Sequence, residues 1–566
     1  MFDVFATVIG LVAAFVAPVH YCAGILVSRR VIRFAARRAF LAVSFGSVSS
    51  LVLCVAFAMI AGLPLPSVHD EFAYLLGADT FSSGRLTNPT HPLWESFETF
   101  HVIHQPTYQM KYPPAQAAFL ALGQRLGEPI WGVWISLALA CGATTWMLRA
   151  WTPPRWALLG GWLTVMHAGI LRYWGEGYMG GAVAMLGGAL VWGAVPRLLR
   201  PFLGRAGRSS SITLSNTIGN SAAFGVGIAL LANSRPYEGL LTTLFAGLVF
   251  VWFVVTSPRS VADSRSMAGN VTVWASIAAP AVVVVVAAGA WMLHYNKQVT
   301  HDRWKMPYQV WQAIYSDHGK IAGTLLLAGG ESVAERRVPV PEESYQRQRA
   351  HEPLHRKLFR LMIFFFRPYV WLPLSVLLPW LMAKRNLIPV LGVSALFVAV
   401  IIQDSGGYPH YAASIAPLAI LLIVQGLRHL RVVNRPNSLY GGMWGRNIVT
   451  LLPVVAFATV VADTWQWRVW NETPGFAQRR DAIVRHLLDK PGEDLVVVRY
   501  RSTHSIYDEW VYNRADIDGS PIVWARELTS EQNQKLLDYY VNRNAWLLDA
   551  DAEPPELRQF RRAETK

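Results

Sequence analysis

Charge is scarce in this chain. Only 15% of its 566 residues are Asp, Glu, Lys or Arg, against about a quarter in a soluble domain. That shortage excludes a soluble multidomain protein, and a hydrophobic share of 53% excludes a disordered one. Cysteine is scarcer still. Cys22, Cys54 and Cys141 are the three, all inside apolar runs. An odd count so placed argues against a disulfide framework, and the three read as small buried hydrophobes. No Walker-type phosphate loop and no Cys–His zinc spacing is found, so bound nucleotide is not expected as an energy source. Repeats and low-complexity tracts are also missing. A net charge of +15 would suit nucleic acid, but most of the basic residues flank hydrophobic runs, where they set membrane topology. Nucleic acid is therefore not an expected partner.

What the chain has is long apolar runs. A span needs roughly 20 mostly apolar residues. About twelve candidates follow by that rule: Phe5–Val27, Ala39–Ala61, Pro129–Leu148, Trp156–Leu171, Tyr178–Val195, Gly219–Ala232, Leu240–Val255, Val271–Leu293, Leu358–Met382, Leu387–Ile402, Tyr411–Gly426 and Ile448–Val461. Phe5–Val27 has no basic leader and no cleavage site, so it reads as an uncleaved span. One set of connections is rich in arginine, starting with the hinge Arg29–Arg38, and these face the cytoplasm. The other set faces outward and holds the loops 62–128 and 294–357. The expected fold is an all-α polytopic membrane domain, residues 1–463, followed by a small outward α/β domain, residues 464–566. In that tail, Leu495–Tyr500 reads as a strand and Ser530–Asn542 as a helix capped by Ser530.

The polar residues gather on the outward side. His69-Asp70-Glu71 follows the second span. A carboxylate there suits a general base if burial raises its pKa toward neutrality, or simply a helix N-terminus, where acids favour the dipole. Lys111-Tyr112-Pro113-Pro114 lies in the same loop; its prolines stiffen the chain and also suit a helix start. Three short outward links carry Arg172 and Glu176, Arg235 and Glu238, and Asp404 and His410. Ionisable residues this close to a bilayer are usually paired or functional, and their common side favours one shared outward cavity. Arg235, Lys111 and Arg172 offer cations for phosphate. Arg235 and Glu238 stand three apart and can also pair with each other. His301, His318, His351 and His355 are scattered among charges and read as solvated. Tyr507, Trp510, Tyr512 and Trp524 in the tail suit a sugar-stacking surface, though core packing is the plainer account.

The Asp-Glu pair after an early span, in a long outward loop carrying Lys111-Tyr112-Pro113-Pro114, resembles the GT-C glycosyltransferase superfamily. The likeness is to its branch of protein mannosyltransferases, lipid A aminoarabinose transferases and rhizobial lipopolysaccharide glycosyltransferases. It rests on residues Val68–Gly127; beyond them it rests on span number and topology. Such enzymes move a sugar, with inversion, from a polyprenyl-phosphate donor to a lipid, polysaccharide or protein acceptor at the outer face. The resemblance implies that Asp70 is the catalytic base, with Glu71 as second acid. It also implies that Lys111 and Tyr112 approach the carrier phosphate or the acceptor. It implies a bacterial inner membrane with the site on the periplasmic face. The extra span Phe5–Val27 departs from the family pattern, and the basic hinge after it restores the orientation. The chemistry is coherent: a hydroxyl acceptor needs a base, and a lipid-phosphate leaving group needs cations more than a proton. No cofactor is required, although a divalent metal on Asp70 and Glu71 is compatible with the pattern. Two other readings are open: a transporter or flippase of a lipid-linked glycan, and a membrane scaffold acting through the tail.

Overall fold

A computed structural model describes residues 23–200, 202, 214–256, 271–315, 352–367, 387–404, 407–432, 443–469, 475–501 and 504–560. Most of Phe5–Val27, with Cys22, lies outside them. Eight described helices are long and apolar enough to cross a membrane. In chain order the first elements are α1 (Ala23–Arg37), α2 (Ala39–Ala61), α3 (His69–Ser82), β1 (Val102–Ile103), β2 (Gln109–Met110) and α4 (Ala115–Arg125). Next come α5 (Ile130–Trp151), α6 (Pro154–Val165), α7 (Gly181–Leu198), α8 (Leu214–Ala232), α9 (Pro236–Thr256), α10 (Val271–Thr300) and α11 (Pro307–Tyr315). Then follow α12 (Leu354–Phe365), α13 (Ile388–Asp404), a 3-10 turn Pro409–Ile415, α14 (Ala416–Val432) and α15 (Met443–Val469). Among these, α5, α7 and the Pro409–Arg431 segment are mostly buried, whereas α2 and α10 turn most of their surface outward. The apolar, exposed face of an outer helix is what lipid contact requires.

Small residues set the central packing. A Cβ on Gly188 of α7 would strike the Ser414 carbonyl, and one on Gly227 of α8 would meet the Gly187 carbonyl oxygen at 2.7 Å. Backbones approach this closely only where side chains are absent. Cys54 and Cys141 are buried and unbridged, as their apolar runs imply.

Some boundaries differ from the sequence expectation. The two shortest expected spans are longer than expected, being Leu214–Ala232 and Met443–Val469. The run Trp156–Leu171 is not one helix. α6 ends at Val165, and a five-residue π turn, Gly169–Tyr173, follows. The cause is His167, whose Nδ1 accepts from Ile170 N at 3.1 Å and whose Nε2 lies 3.2 Å from the Phe365 carbonyl. The run Leu358–Met382 is interrupted too. α12 stops at Phe365, just before Arg367-Pro368, because a residue preceding proline is driven out of the helical region.

The tail is built from α16 (Phe476–Leu488), β3 (Asp494–Arg499), β4 (Ile522–Arg526), α17 (Ser530–Tyr539), β5 (Asn544–Asp549) and β6 (Glu556–Gln559). The sheet order is β4-β3-β5-β6, with β3 parallel to β4 and β5, and β6 antiparallel to β5. β3 is buried over five of its six residues, which fits a central parallel strand covered on both faces. The cap of α17 is Thr529, not Ser530: its side chain accepts from Gln532 N. Trp510, Tyr512 and Trp524 are buried in the tail, so they pack its core and do not form a sugar-stacking face.

The tail sits on the loop of residues 62–128. Phe72 of α3 stacks on Tyr512 at 4.5 Å between ring centres. Asp79 of α3 accepts from Ala515 N at 2.8 Å and pairs with Arg514 at 3.2 Å. His91 meets Asp518 at 3.1 Å, and Gln532 donates to Glu95 at 2.7 Å.

Candidate functional site

α3 begins directly after the extended residue Val68, so its first turn projects three consecutive polar side chains in different directions. Asp70 points to the hairpin β1–β2. That hairpin folds residues 101 and 111 together, with Lys111 N donating to the His101 carbonyl at 3.1 Å. His101 takes a positive φ of 66°, an uncommon backbone state for a non-glycine residue. The result is a compact polar centre. Tyr112 donates to Asp70 Oδ1 and its hydroxyl lies 2.6 Å from His101 Nδ1. His101 Nδ1 is 2.8 Å from the same carboxylate oxygen. Lys111 Nζ stands over the Trp311 ring at 3.5 Å from its centre, so α11 brings the second long outward loop to the site.

Burial by itself would raise the Asp70 carboxyl. The imidazoles of His101 and His69, the His101 hydrogen bond and the Lys111 ammonium outweigh it and hold Asp70 below the usual carboxylate range, so the rise toward neutrality expected of a general base is not found. His101 is also lowered, by burial and then by Lys111 and His69, with the Asp70 carboxylate pulling it back up. The centre thus carries one carboxylate anion beside a lysine cation.

Glu71 points away from Asp70. Its Oε2 accepts from Ser67 N at 2.7 Å, Ser67 Oγ at 3.1 Å and Val68 N at 3.3 Å; its Oε1 accepts from Tyr178 N at 2.8 Å. This carboxyl closes the N-terminus of α3 and clamps it to the link before α7. Burial pushes it up, and the four donors offset part of that. Gly177 makes room for it, because a Cβ there would lie 2.7 Å from Oε1.

The structure also brings Arg235 to the centre. Its charge reaches Tyr74, Glu238, Tyr411 and Asp70. It lies 3.9 Å from Glu238 and 5.2 Å from the centre of the Tyr411 ring. Tyr74 stacks on Tyr112 at 4.7 Å. His410 contributes through a neighbour, its Nδ1 being 2.7 Å from the Tyr173 hydroxyl. Arg172 and Glu176 belong elsewhere: they lie 3.7 Å apart, and Arg172 donates to the Asp463 carbonyl at 3.0 Å. Glu176 lines an adjoining cavity of about 800 Å³, with Ser67, Val68 and Tyr507 on its polar side and Phe57 and Trp134 on its apolar side. Asp404 ends α13, and its side chain lies outside the described residues. So do His318 and His351; His301 is exposed.

Sequence reading missed His69, His101, Tyr74, Tyr173 and Tyr411. Among the described residues, one group of side chains has metal-ligand composition and spacing: His69, Asp70 and His101, whose ligand atoms all lie within 4.8 Å of one another. Glu71, expected to join Asp70 in any metal site, is not in that group. Two short patterns carry no site. Gly175–Gly180 has G-x-G-x-x-G spacing but follows a π turn, not a strand. His351-Glu352-Pro353-Leu354-His355 has H-E-x-x-H spacing, but Pro353 precedes the helix and Glu352 pairs with Arg360.

No family model and no curated protein matches the chain. Solved structures do resemble it. ArnT from Cupriavidus metallidurans bound to undecaprenyl phosphate is 14% identical, with 88% of this chain and 92% of that one covered and a TM-score of 0.47. The oligosaccharyltransferase of Archaeoglobus fulgidus in its apo form is 11% identical over 90% of this chain and 69% of that one, with a TM-score of 0.42. The archaeal oligosaccharyltransferase AglB from the same organism, in complex with an inhibitory peptide and a dolichol-phosphate, is 12% identical over the same shares, with a TM-score of 0.40.

Proposed function

We propose that this chain is an inverting glycosyltransferase that moves a sugar from a polyprenyl-phosphate carrier to an acceptor hydroxyl at the outer face of a membrane. The observation that carries the reading is Asp70, 2.8 Å from His101 Nδ1, in one polar centre with Lys111 and Arg235 beside the ends of apolar helices. A carboxylate suits the acceptor, and cations suit the phosphate. A transporter site would more often lie near the middle of the spans.

The step follows from these groups. The acceptor oxygen, held on Asp70 beside the Tyr112 hydroxyl, attacks C1 of the sugar from the side opposite the phosphate. The bond from C1 to the phosphate oxygen breaks, and its electron pair leaves with the lipid phosphate. The acceptor proton passes to Asp70. Lys111 and Arg235 neutralise the charge on the departing phosphate. Glu238 and His410 position Arg235 and Tyr173, and Glu71 positions α3. Glu176, 3.7 Å from Arg172, borders the adjoining cavity, where an acceptor can approach Asp70 past Ser67 and Val68.

The donor set His69, Asp70 and His101 fits a divalent ion of the zinc or manganese type, since neutral imidazole and carboxylate suit such metals. Bound there, the ion would supply a further positive charge for the phosphate. Metal analysis of the purified chain should find about one equivalent by this three-ligand rule, lost in His69→Ala. An equal metal content in both would remove the assignment.

We place the site on the periplasmic face of a bacterial inner membrane, with a lipid, polysaccharide or protein as acceptor. Glycan mass spectrometry of the cell envelope tests the function. A strain lacking the chain should miss one sugar in one of those fractions, and the wild type should restore it. An unchanged envelope would overturn the reading.

A further inference from the structure

A second feature lies away from Asp70. A groove of about 610 Å³ runs between the end of α3, α4 and the Ala232 end of α8, with Trp291 of α10 on its far wall. Its wall is apolar, built from residues such as Ala118, Leu122, Val226, Leu230 and Trp291. Leu122, Val226 and Trp291 are 47%, 40% and 45% exposed, which is a large open apolar surface. α8 and α10 are both long and apolar enough to cross a membrane, so this surface faces lipid, and the orientation proposed above puts it in the outer leaflet.

Two arginines stand on the groove. Arg125 Nη2 donates to the Ser82 carbonyl at 3.1 Å, and Arg85 Nε donates to the Ser83 hydroxyl at 3.1 Å. Both guanidiniums are thus held by consecutive residues at the end of α3. Among the described residues, neither has a carboxylate within 4.0 Å. Two cations without counter-charge, above an apolar slot that opens to the bilayer, complement one kind of molecule. We propose that the groove binds an anionic phospholipid of the outer leaflet, with its phosphate between Arg85 and Arg125 and its acyl chains along α8 and α10.

Arginine presents a planar fork to phosphate oxygens and stays charged at any working pH. This phosphate is not the one proposed for the reaction. Ala115 opens α4 and is tied to the Asn233 carbonyl at 2.9 Å, two residues before Arg235. Arg125 closes the same helix, about 15 Å away at the helical rise per residue. A single phosphate cannot serve both ends.

The test uses the full chain, taken from nanodiscs that hold equal phosphatidylglycerol and phosphatidylcholine, with native mass spectrometry of the lipids retained. Phosphatidylglycerol should be enriched. The double substitution Arg85→Gln with Arg125→Gln should lower its retention by about thirtyfold, as two surface cations imply, with phosphatidylcholine unchanged. Ala118 is exposed in the groove, so Ala118→Trp should displace the same lipid without touching either arginine. Thermal unfolding in detergent confirms that each variant is folded. Equal retention of both lipids, undiminished phosphatidylglycerol in the double variant, or displacement of the bound lipid by polyprenyl phosphate would each overturn the proposal.

Discussion

Asp70→Asn should leave the chain folded and cut sugar transfer by about two to four orders of magnitude, the usual contribution of a positioned acid or base. The substitution preserves the size of the side chain and an oxygen for the Tyr112 hydroxyl. It removes the negative charge that His101, His69 and Lys111 surround. Tyr112→Phe is the informative companion. It keeps the carboxylate and deletes one donor to it, so it should cost only about ten- to a hundredfold, the range for one hydrogen bond to a charged group. Transfer from a purified donor, read as product per minute with matched amounts of folded protein, gives both numbers. Wild-type turnover in Asp70→Asn would end the assignment of Asp70 and bring a transport or scaffold role forward.

Glu71→Ala should act on stability before chemistry. The lost carboxylate leaves the Ser67, Val68 and Tyr178 backbone N–H groups without their acceptor. Each orphaned buried group costs about 1–3 kcal/mol. Water from the adjoining cavity relieves part of that at Ser67 and Val68, which line it. A net loss of about 2–4 kcal/mol is expected, seen as a lower unfolding temperature in detergent. Glu71→Gln should fall between, since one amide oxygen can still serve Tyr178 while its NH₂ opposes the donors on the other side. Turnover per folded molecule should change far less in Glu71→Gln than in Asp70→Asn. If Glu71→Gln unfolds at the wild-type temperature but transfers no sugar, Glu71 is a reacting acid and not a clamp.

The contrast between these neighbours shows what the sequence could and could not convey. Both acids are visible in it as acids after a span. Their separation into two jobs is not, because it depends on which side of one helical turn each faces. The helix-start reading suits Glu71, and the base reading is proposed for Asp70. His101 was out of reach for another reason. It meets Asp70 through a hairpin whose strands are two residues each, too short to leave an alternating pattern. Tyr173 and Tyr411 stand next to Arg172 and His410 in the sequence, but nothing local marks them off from interfacial aromatics. The long apolar runs were easiest to read, since their signal is composition over many residues. Even there, His167 and Pro368 cut expected helices short through single local effects.

The docking of the tail on the loop of residues 62–128 ties the site to the order of synthesis. Asp70 leaves the ribosome early, while the residues that cover α3, from Phe476 to Ala515, emerge more than 400 residues later. Until they arrive, Phe72 lacks its stacking partner and Asp79 its backbone donor. A chain interrupted between residues 315 and 475 therefore carries every proposed reacting group but leaves α3 without this cover. Under the proposed function, sugar transfer waits until residues 476–515 have reached α3 and closed over it.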